Sequence, residues 1–263
     1  MLSCFCGCCS CFCSVCGCLL AFLSLPPGLI ISQDSKPFDN TEYRSLVGSL
    51  LYLSIRTRPD IAFAVNLISQ QQGAPTEYHY SLGKHVLRYL IGTAAYGITF
   101  SKQNRHDVIA YSDANHGDVN MDRHSVSTFV ITYNDAPVVW SVKKQTTIAL
   151  SSTEAEFISL SITYQMIMWY KQLLNSIGGQ DKKHNFRVLC DNQGAIKILA
   201  EPRQTQKLPK HIDTRYLFVR ESVSTSGIPI VYLNTDEMLA DILTKPLPAP
   251  RFQILRRRLN IIE

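Results

Sequence analysis

The sequence predicts an α/β protein in which a mixed five-stranded sheet with flanking helices is preceded by a small helical unit. Residues 106–142 contain three β-type apolar runs joined by turn residues, a pattern typical of an antiparallel meander. Helical and strand-like stretches then alternate as far as residue 245. A meander that continues into such an alternation predicts a mixed sheet with helices packed on its faces.

The helical unit covers residues 39–95. The segments YRSLVGSLLYL and TRPDIAFAVNLISQ are each apolar at helical spacing, and Pro59 separates them. Thr76 is the expected N-cap of a third helix, which ends at Gly92. A short strand in YGITF closes the unit.

The sheet region has its elements in a regular order. We expect strands over residues 106–112, 125–133, 138–142, 186–190 and 228–233. We expect helices over residues 152–177, 192–200, 211–222 and 236–245, the last closed by Pro246. The segment Asn134-Asp135-Ala136-Pro137 supplies the turn between the second and third strands.

Residues 1–38 form a Cys-rich, apolar segment unlike the rest. Eight of the nine cysteines lie in it, and no charged residue precedes Asp34. The apolar residues between the cysteines do not suit a disulfide knot, CxxC pairs with a long spacer for zinc are absent, and no basic n-region marks a signal peptide. We interpret the segment as foreign to the domain behind it, for example through an altered reading frame or a mis-joined exon. A membrane segment over residues 1–31 is the alternative, although Pro26-Pro27 interrupts it.

The amino-acid composition limits the kinds of protein that this chain can be. The hydrophobic fraction of 46% and the twelve tyrosines exclude a chain that is disordered throughout. The net charge of +5 permits a nucleic-acid partner without requiring one. Cys190, in an apolar strand, is expected to be an unreactive core residue.

Four acidic residues occupy positions that the predicted fold brings together. Asp113 ends the first strand, Asp191 ends the fourth, Glu156 lies in the first turn of the long helix, and Asp241 lies within the last one. Strand ends in α/β sheets collect functional residues because the loops there stand on a rigid platform. Carboxylates about 4 Å apart repel each other by about 4 kcal/mol per pair at moderate dielectric. Such a cluster makes chemical sense chiefly as a cage for two Mg²⁺ ions acting on a phosphodiester.

Three of these acids also have a purely structural interpretation. Asp113 can cap a turn ahead of Gly117. Asp191 can be the N-cap of the helix that follows it. Asp241 can form an i,i+4 ion pair with Lys245.

The fourth acid, Glu156, has a structural alternative and a rival. Thr153 and Glu156 match a capping box, in which the glutamate only satisfies a backbone N–H at the helix start. Ser151 and Glu154 match a second capping box two residues earlier in the chain. The sequence therefore leaves open which glutamate caps the helix. The other glutamate is then free for the cluster.

A family resemblance covers residues 39–263. The segments that carry it are, in order, YRSLVGSLLYL, TRPDIAFAVN, VLRYLIGT, YSDAN, KKQTTIALSSTEAEFISL, LCDNQGAIKIL, KHIDTRYLFVRE and DEMLADILTKPL. They resemble the C-terminal part of the Pol polyprotein of copia-type LTR retrotransposons, which is the tail of reverse transcriptase followed by ribonuclease H. The resemblance implies a thumb or connection remnant of reverse transcriptase over residues 39–103 and an RNase H-like domain over residues 104–263.

The resemblance also implies an activity, hydrolysis of the RNA strand of RNA–DNA hybrids. The family's catalytic, metal-binding carboxylates fall on Asp113, Glu156, Asp191 and Asp241, with Glu154 as the rival of Glu156. Two Mg²⁺ ions are the implied cofactors, and Mn²⁺ is an alternative. The hybrid is the implied partner, the reverse transcriptase portion of Pol acting in trans is a further one, and a cytoplasmic particle or the nucleus is the implied location.

The chain departs from the family in several places. It contains no Tyr-x-Asp-Asp motif, so we expect no polymerase activity from it. Residues 125–128 lack the usual Gly, and Gln165-Met166 stands where an acid is common. His211 precedes the fifth strand, whereas the mobile catalytic His of cellular RNases H follows it, so we expect a surface, phosphate-contact or structural role. These departures support an alternative, a catalytically inactive remnant that at most binds nucleic acid.

A nucleic-acid surface is expected from basic residues spread over three regions. They are Lys143-Lys144, then Lys207, Lys210 and Arg215, and finally Arg256-Arg257-Arg258. Lys and Arg near an acidic metal site allow a protein to hold the phosphate backbone while the metal site acts on it. Trp140 is expected to pack in the core or at the sheet edge rather than to stack on bases.

Overall fold

A computed structural model of the chain describes residues 36–102, 105–116, 124–178, 184–200 and 210–263, with only the backbone for residues 178, 200 and 210–213. The α-helices are α1 Asn40–Arg56, α2 Ala62–Ser69, α3 Glu77–Gly92, α4 Ser152–Gly178, α5 Gln193–Ala200, α6 Lys210–Ser226, α7 Asp241–Thr244 and α8 Ala249–Arg258. The strands are β1 Gly97–Ile98, β2 Asp107–Asn115, β3 Val126–Tyr133, β4 Ala136–Lys144, β5 Asn185–Cys190, β6 Ile230–Tyr232 and β7 Ile261–Ile262.

Some sequence predictions fall outside the described residues. They concern the Cys-rich segment up to residue 35, the division of the chain between residues 103 and 104, Gly117, Lys207, and the side chains of Lys210 and His211. The possible membrane segment over residues 1–31 lies there as well. Within the described ranges, no helix combines the length and the apolar character that crossing a membrane requires.

The helical unit contains the three predicted helices. Thr76 caps α3 with its side chain, as predicted, and Asp39 caps α1 by accepting the Thr41 N–H at 2.7 Å. Pro59 starts a single 3₁₀ turn between α1 and α2, where its missing N–H costs no helical hydrogen bond. The short strand β1 pairs antiparallel with β7 at the end of the chain, a pairing that the sequence did not indicate.

The five-stranded sheet has the order β4-β3-β2-β5-β6. Strands β2, β3 and β4 form an antiparallel meander, and β5 and β6 extend it with parallel pairing from β2 outward. The predicted mixed sheet with flanking helices is therefore confirmed. Strand β2 lies at the centre of this sheet and pairs with a strand on each side.

The turn between β3 and β4 is tighter than predicted. Only Asn134 and Asp135 form it, both with positive φ (47° and 69°), as two-residue hairpin turns require. Strand β4 therefore begins at Ala136 and includes Pro137, whereas the sequence suggested a four-residue turn. A proline fits there because β4 is an edge strand and its register shifts beside Thr132.

The sheet separates two apolar cores. Helices α4 and α6 cover one face, on which Val108, Ala110 and Val188 are fully buried. The helical unit, α7 and α8 cover the other face, on which Ile109 and Tyr111 lie. Trp140 joins this second core and donates its indole N–H to the Ser54 carbonyl at 2.7 Å, consistent with the packing role expected for it.

The prediction of one helix, over residues 236–245, is wrong. Residues 236–245 do not form a continuous helix but a 3₁₀ turn, Thr235–Glu237, followed by the short α7. Met238 has extended backbone between them, and this break lets Met238 and Leu239 bury their side chains in the second core. Helix α8 was not predicted; it begins beside Pro248 and includes Pro250 in its first turn, where proline is well tolerated.

A buried polar network joins the helical unit to α8. The Arg58 guanidinium donates two hydrogen bonds to the Asp60 carboxylate, at 2.9 and 2.7 Å, and one to the Thr93 carbonyl at 3.0 Å. Tyr89 donates its hydroxyl to Asp60 at 2.7 Å, and Arg256 donates to the Tyr89 hydroxyl at 3.3 Å. Arg256 is buried here, so it does not belong to the predicted nucleic-acid surface.

We predict that Asp60→Ala lowers the free energy of unfolding by about 3–5 kcal/mol, because it leaves the buried Arg58 guanidinium without its counterion. Arg105→Ala is the control, since the Arg105–Asp135 pair is about half exposed and should contribute less than about 1 kcal/mol. Urea unfolding of the full chain followed by circular dichroism measures both. Equal losses for the two variants would contradict the structural role of the network.

Candidate active site

Asp113 lies near the carboxyl end of the central strand β2. The strand continues two residues further than predicted, so Asp113 does not end it, but the carboxylate is 1% exposed at that end of the sheet. One oxygen accepts the Ala114 N–H at 2.9 Å, and the other accepts the hydroxyl of Thr244. Because Asp113 is a strand residue held on both sides, its carboxylate has a fixed position.

Asp191 follows the adjacent strand β5. Ser112 is in register with Cys190 in the parallel β2–β5 pair, so Asp113 and Asp191 occupy corresponding positions on neighbouring strands. The N-cap interpretation of Asp191 is wrong, because Asn192 caps α5 by accepting the Ala195 N–H at 2.9 Å. Asp191 instead accepts the hydroxyl of Thr235 at 2.8 Å.

The structure distinguishes the two glutamates at the start of α4. Glu154 belongs to the Ser151 capping box: it accepts the Leu150 N–H at 2.9 Å, and its own N–H donates to Ser151 at 3.1 Å. Glu156 is 8% exposed and interacts with Asp113. Glu156, not Glu154, therefore joins the acidic cluster.

Asp241 is the first residue of α7 and completes the cluster. The predicted ion pair with Lys245 is present, at 2.7 Å, but the same ammonium also lies 3.3 Å from Asp113. Arg251 lies 3.7 Å from the second oxygen of Asp241. The pair is therefore part of the cluster rather than an alternative to it.

Burial and mutual repulsion raise the pKa values of two of these acids. Burial, and then the charges of Asp113 and Asp191, raise the pKa of Glu156 well above its ordinary 4.5. Burial and the charge of Asp113 raise the pKa of Asp241 to about 6, although Lys245 opposes the shift. Burial disfavours the charge of Lys245, but Asp113 and Asp241 outweigh it and raise the lysine pKa.

The cluster has the donor set of a hard-cation site. Ligand atoms of Glu156, Cys190 and Asp191 lie within 4.8 Å of one another. Burial raises the pKa of the Cys190 thiol to about 12, whereas Glu156 and Asp191 supply carboxylate oxygens. The Oε2 atom of Glu156 is buried without a hydrogen-bond partner among the described residues. Oxygen donors of this kind suit Mg²⁺ or Mn²⁺.

Sequence reasoning missed the residues that hold these acids in place. Thr235, Thr244 and Arg251 each contact one of the four acids, yet nothing in their spacing pointed to the site. Lys245 was recognised as a partner of Asp241 but not of Asp113, because that contact joins residues far apart in the chain.

Three of the expected basic residues line a groove beside the cluster. Lys143, Lys144 and Arg215 border a cavity of about 480 Å³ between the end of β4 and helices α4 and α6. Its floor includes Gln145, whose amide donates to the Ala155 carbonyl at 3.0 Å, one residue before Glu156. Arg257 and Arg258 are exposed on α8.

Fold and site together define an α/β domain with a buried acidic cluster at the carboxyl ends of two central parallel strands. A scan against protein-family models finds no match. The chain is 39% identical over 241 residues to the Pol polyprotein of transposon RE2 from Arabidopsis thaliana, and 35% identical over 215 residues to that of transposon TNT 1-94 from Nicotiana tabacum. These alignments cover 92% and 81% of the chain. Over most of its own length the chain is similar to copia-type retrotransposon Pol polyproteins, and it spans 16% of the length of these two relatives.

Shorter and more distant similarities were also found. A stretch of 131 residues is 43% identical to the secreted RxLR effector protein 161 of Plasmopara viticola and covers 92% of it. Among solved structures, RNase H1 LC11 from compost has 13% identity and a TM-score of 0.36, over 52% of this chain and 92% of its own. The RNase H domain of a Mycobacterium tuberculosis protein has 15% identity and a TM-score of 0.36, over 56% and 97%. The chain's own architecture, a mixed five-stranded sheet with flanking helices, is the α/β fold class that the sequence predicted.

We predict that Glu156 makes the cation-free domain less stable as the pH rises. The folded state keeps Glu156 protonated above pH 4.5, where the unfolded chain ionises it, so the folded state holds more protons and the free energy of unfolding falls with pH. Glu156→Gln should reduce this dependence by up to about 1.4 kcal/mol per pH unit. Urea unfolding at pH 5 and pH 8 with a chelator measures it.

Glu154→Gln is the matched control for this measurement. Glu154 caps the helix outside the cluster, so its variant should keep the wild-type pH dependence. Parallel pH profiles for Glu156→Gln and the wild type would show that Glu156 is ionised in the folded domain and would refute the prediction.

Proposed function

We propose that the domain is a ribonuclease H that hydrolyses the RNA strand of RNA–DNA hybrids. The observation that carries this proposal is the convergence of Asp113, Glu156, Asp191 and Asp241, from four separate elements, on one patch, where all but Asp191 are buried. Burying three carboxylates beside a fourth is costly unless cations compensate them. The similarity to Pol polyproteins suggests the substrate class.

The four carboxylates would hold two Mg²⁺ ions, or Mn²⁺ in their place. When bound, the ions would supply activation of the attacking water and charge stabilisation of the leaving 3′-oxygen of a phosphodiester. The chain supplies the rigidity that this chemistry needs: Asp113 is fixed within the central strand, and Thr244 and Thr235 hold the carboxylates of Asp113 and Asp191 by hydrogen bonds.

The groove beside the cluster would hold the hybrid. Lys143 is exposed, and Arg215, which donates to the Ser161 hydroxyl at 3.2 Å, lines the groove. Both can contact phosphate oxygens, which position a duplex without reading its sequence. Selection of RNA over DNA would come from contacts to the ribose 2′-OH.

We predict that the full chain cleaves the RNA strand of a labelled RNA–DNA hybrid in the presence of Mg²⁺, and that Asp191→Asn lowers the rate at least about 100-fold by removing a metal ligand. Asp236→Asn is the matched control, because Asp236 is exposed in the neighbouring 3₁₀ turn and its variant should retain wild-type activity. Gel analysis of both strands reads out which one is cut.

The same assay decides between the proposal and its alternative. Binding of the hybrid without cleavage by a folded chain would instead support an inactive retroelement remnant. Equal activity of Asp191→Asn and the wild type would exclude Asp191 from the site.

We predict that the double variant Lys143→Ala/Arg215→Ala binds the hybrid more weakly. Loss of phosphate contacts should also make the dependence of log K on log salt shallower, by about 1 for each contact. Fluorescence anisotropy of a labelled hybrid, with a chelator present to prevent cleavage, measures both effects. Lys84→Ala, on α3 in the helical unit, is the control; an equal loss in the control would show that binding is not localised to the groove.

A further inference from the structure

The acidic cluster contains a cation that belongs to the chain itself. The Lys245 ammonium lies 2.7 Å from Asp241 Oδ1 and 3.3 Å from Asp113 Oδ2, so it bridges carboxylates from α7 and β2. Its side chain is 35% exposed, whereas those of Asp113 and Asp241 are 1% and 6% exposed. The ammonium thus reaches the buried acids from the solvent side.

The cluster is therefore electrostatically asymmetric. On the side of Asp113 and Asp241, an ammonium already neutralises part of the charge. On the side of Glu156 and Asp191, the charge of Asp191 acts on Lys245 only from beyond ion-pair distance, and the buried Oε2 atom of Glu156 has no hydrogen-bond partner among the described residues. A divalent cation entering the cluster meets two different environments.

We infer that Lys245 is a built-in counterion that a divalent cation must displace in order to bind between Asp113 and Asp241. The inference rests on the two-cation site of the proposed function. It follows that the two cations bind unequally: the first binds on the side of Glu156 and Asp191, and the second binds more weakly because it replaces Lys245.

The chemistry of lysine suits this role. An ammonium is a compact charge on a flexible four-carbon stem, so it can leave the carboxylates without moving the backbone. Arg251 is the other cation near Asp241, but it lies 3.7 Å from a different oxygen and does not reach Asp113 at ion-pair distance. Lys245 is thus the residue among those described whose removal exposes the Asp113–Asp241 pair.

The test is a titration of the full chain with Mn²⁺, in which electron paramagnetic resonance counts free and bound ions. We expect two classes of site in the wild type. Lys245→Gln should lower the dissociation constant for Mn²⁺ at the second class of site at least about tenfold. The dissociation constant at the first class should stay within about threefold of the wild-type value. A tenfold change corresponds to about 1.4 kcal/mol of binding free energy that is no longer spent on displacing Lys245. Lys84→Gln should change neither class, because Lys84 lies over Tyr80 in the helical unit.

Thermal unfolding gives a second readout. In a chelator, Lys245→Gln should lower the melting temperature, because Asp113 and Asp241 lose their counterion, and Mn²⁺ should restore it. If Lys245→Gln is unfolded without metal, we expect Mn²⁺ to refold it, and failure to refold would overturn the inference. Lys245→Arg keeps the charge and should leave the second class no tighter than in the wild type.

The outcomes separate the inference from the proposed function. If the wild type binds no Mn²⁺, the two-cation site itself fails. If the wild type binds two ions and Lys245→Gln binds them with the same affinities, the site stands and the role of Lys245 is refuted. Tightening of the second class by both Lys245→Gln and Lys245→Arg would also refute it, because the charge would then not be the cause.

Discussion

The parallel pairing of β2 with β5 is the constraint on which the site depends. Parallel neighbours end at the same edge of a sheet, and the register of Ser112 with Cys190 places Asp113 and Asp191 side by side at that edge. The other two acids of the cluster lie on helices that pack near this pair: Glu156 in the first turns of α4, and Asp241 in α7. A shift of one residue in this register would turn one of the two aspartates to the opposite face.

The same arrangement concentrates negative charge, and the rest of the cluster can be understood as a response to it. The raised pKa values of Glu156 and Asp241 are one response, since a protonated carboxyl carries no charge. The ion pairs of Lys245 are a second, because they offset the charge where two buried aspartates meet. Divalent cations would be a third, and they compete with the first two for the same oxygens.

Sequence reasoning reached the fold and the four acids but not their surroundings. Strand and helix periodicity located most elements, because apolar spacing reports which residues face a core. It failed at residues 236–245, where tertiary packing of Met238 and Leu239 overrides helical periodicity. It could not separate Glu154 from Glu156, since both fit a capping box and only the position of Asp113 decides which one is needed in the cluster.

The break in that predicted helix explains how the helical unit takes part in the site. Met238, Leu239 and Leu243 are buried in the core that the sheet shares with the helical unit, while Asp241, between them, reaches the cluster. Helix α7 is only four residues long, so its own hydrogen bonds cannot hold it in place. Its position must come from packing against α2, the 3₁₀ turn that begins at Pro59, and the sheet. The helical unit therefore positions the fourth carboxylate and Lys245, and this gives it a role in the site although none of the acids lies within it.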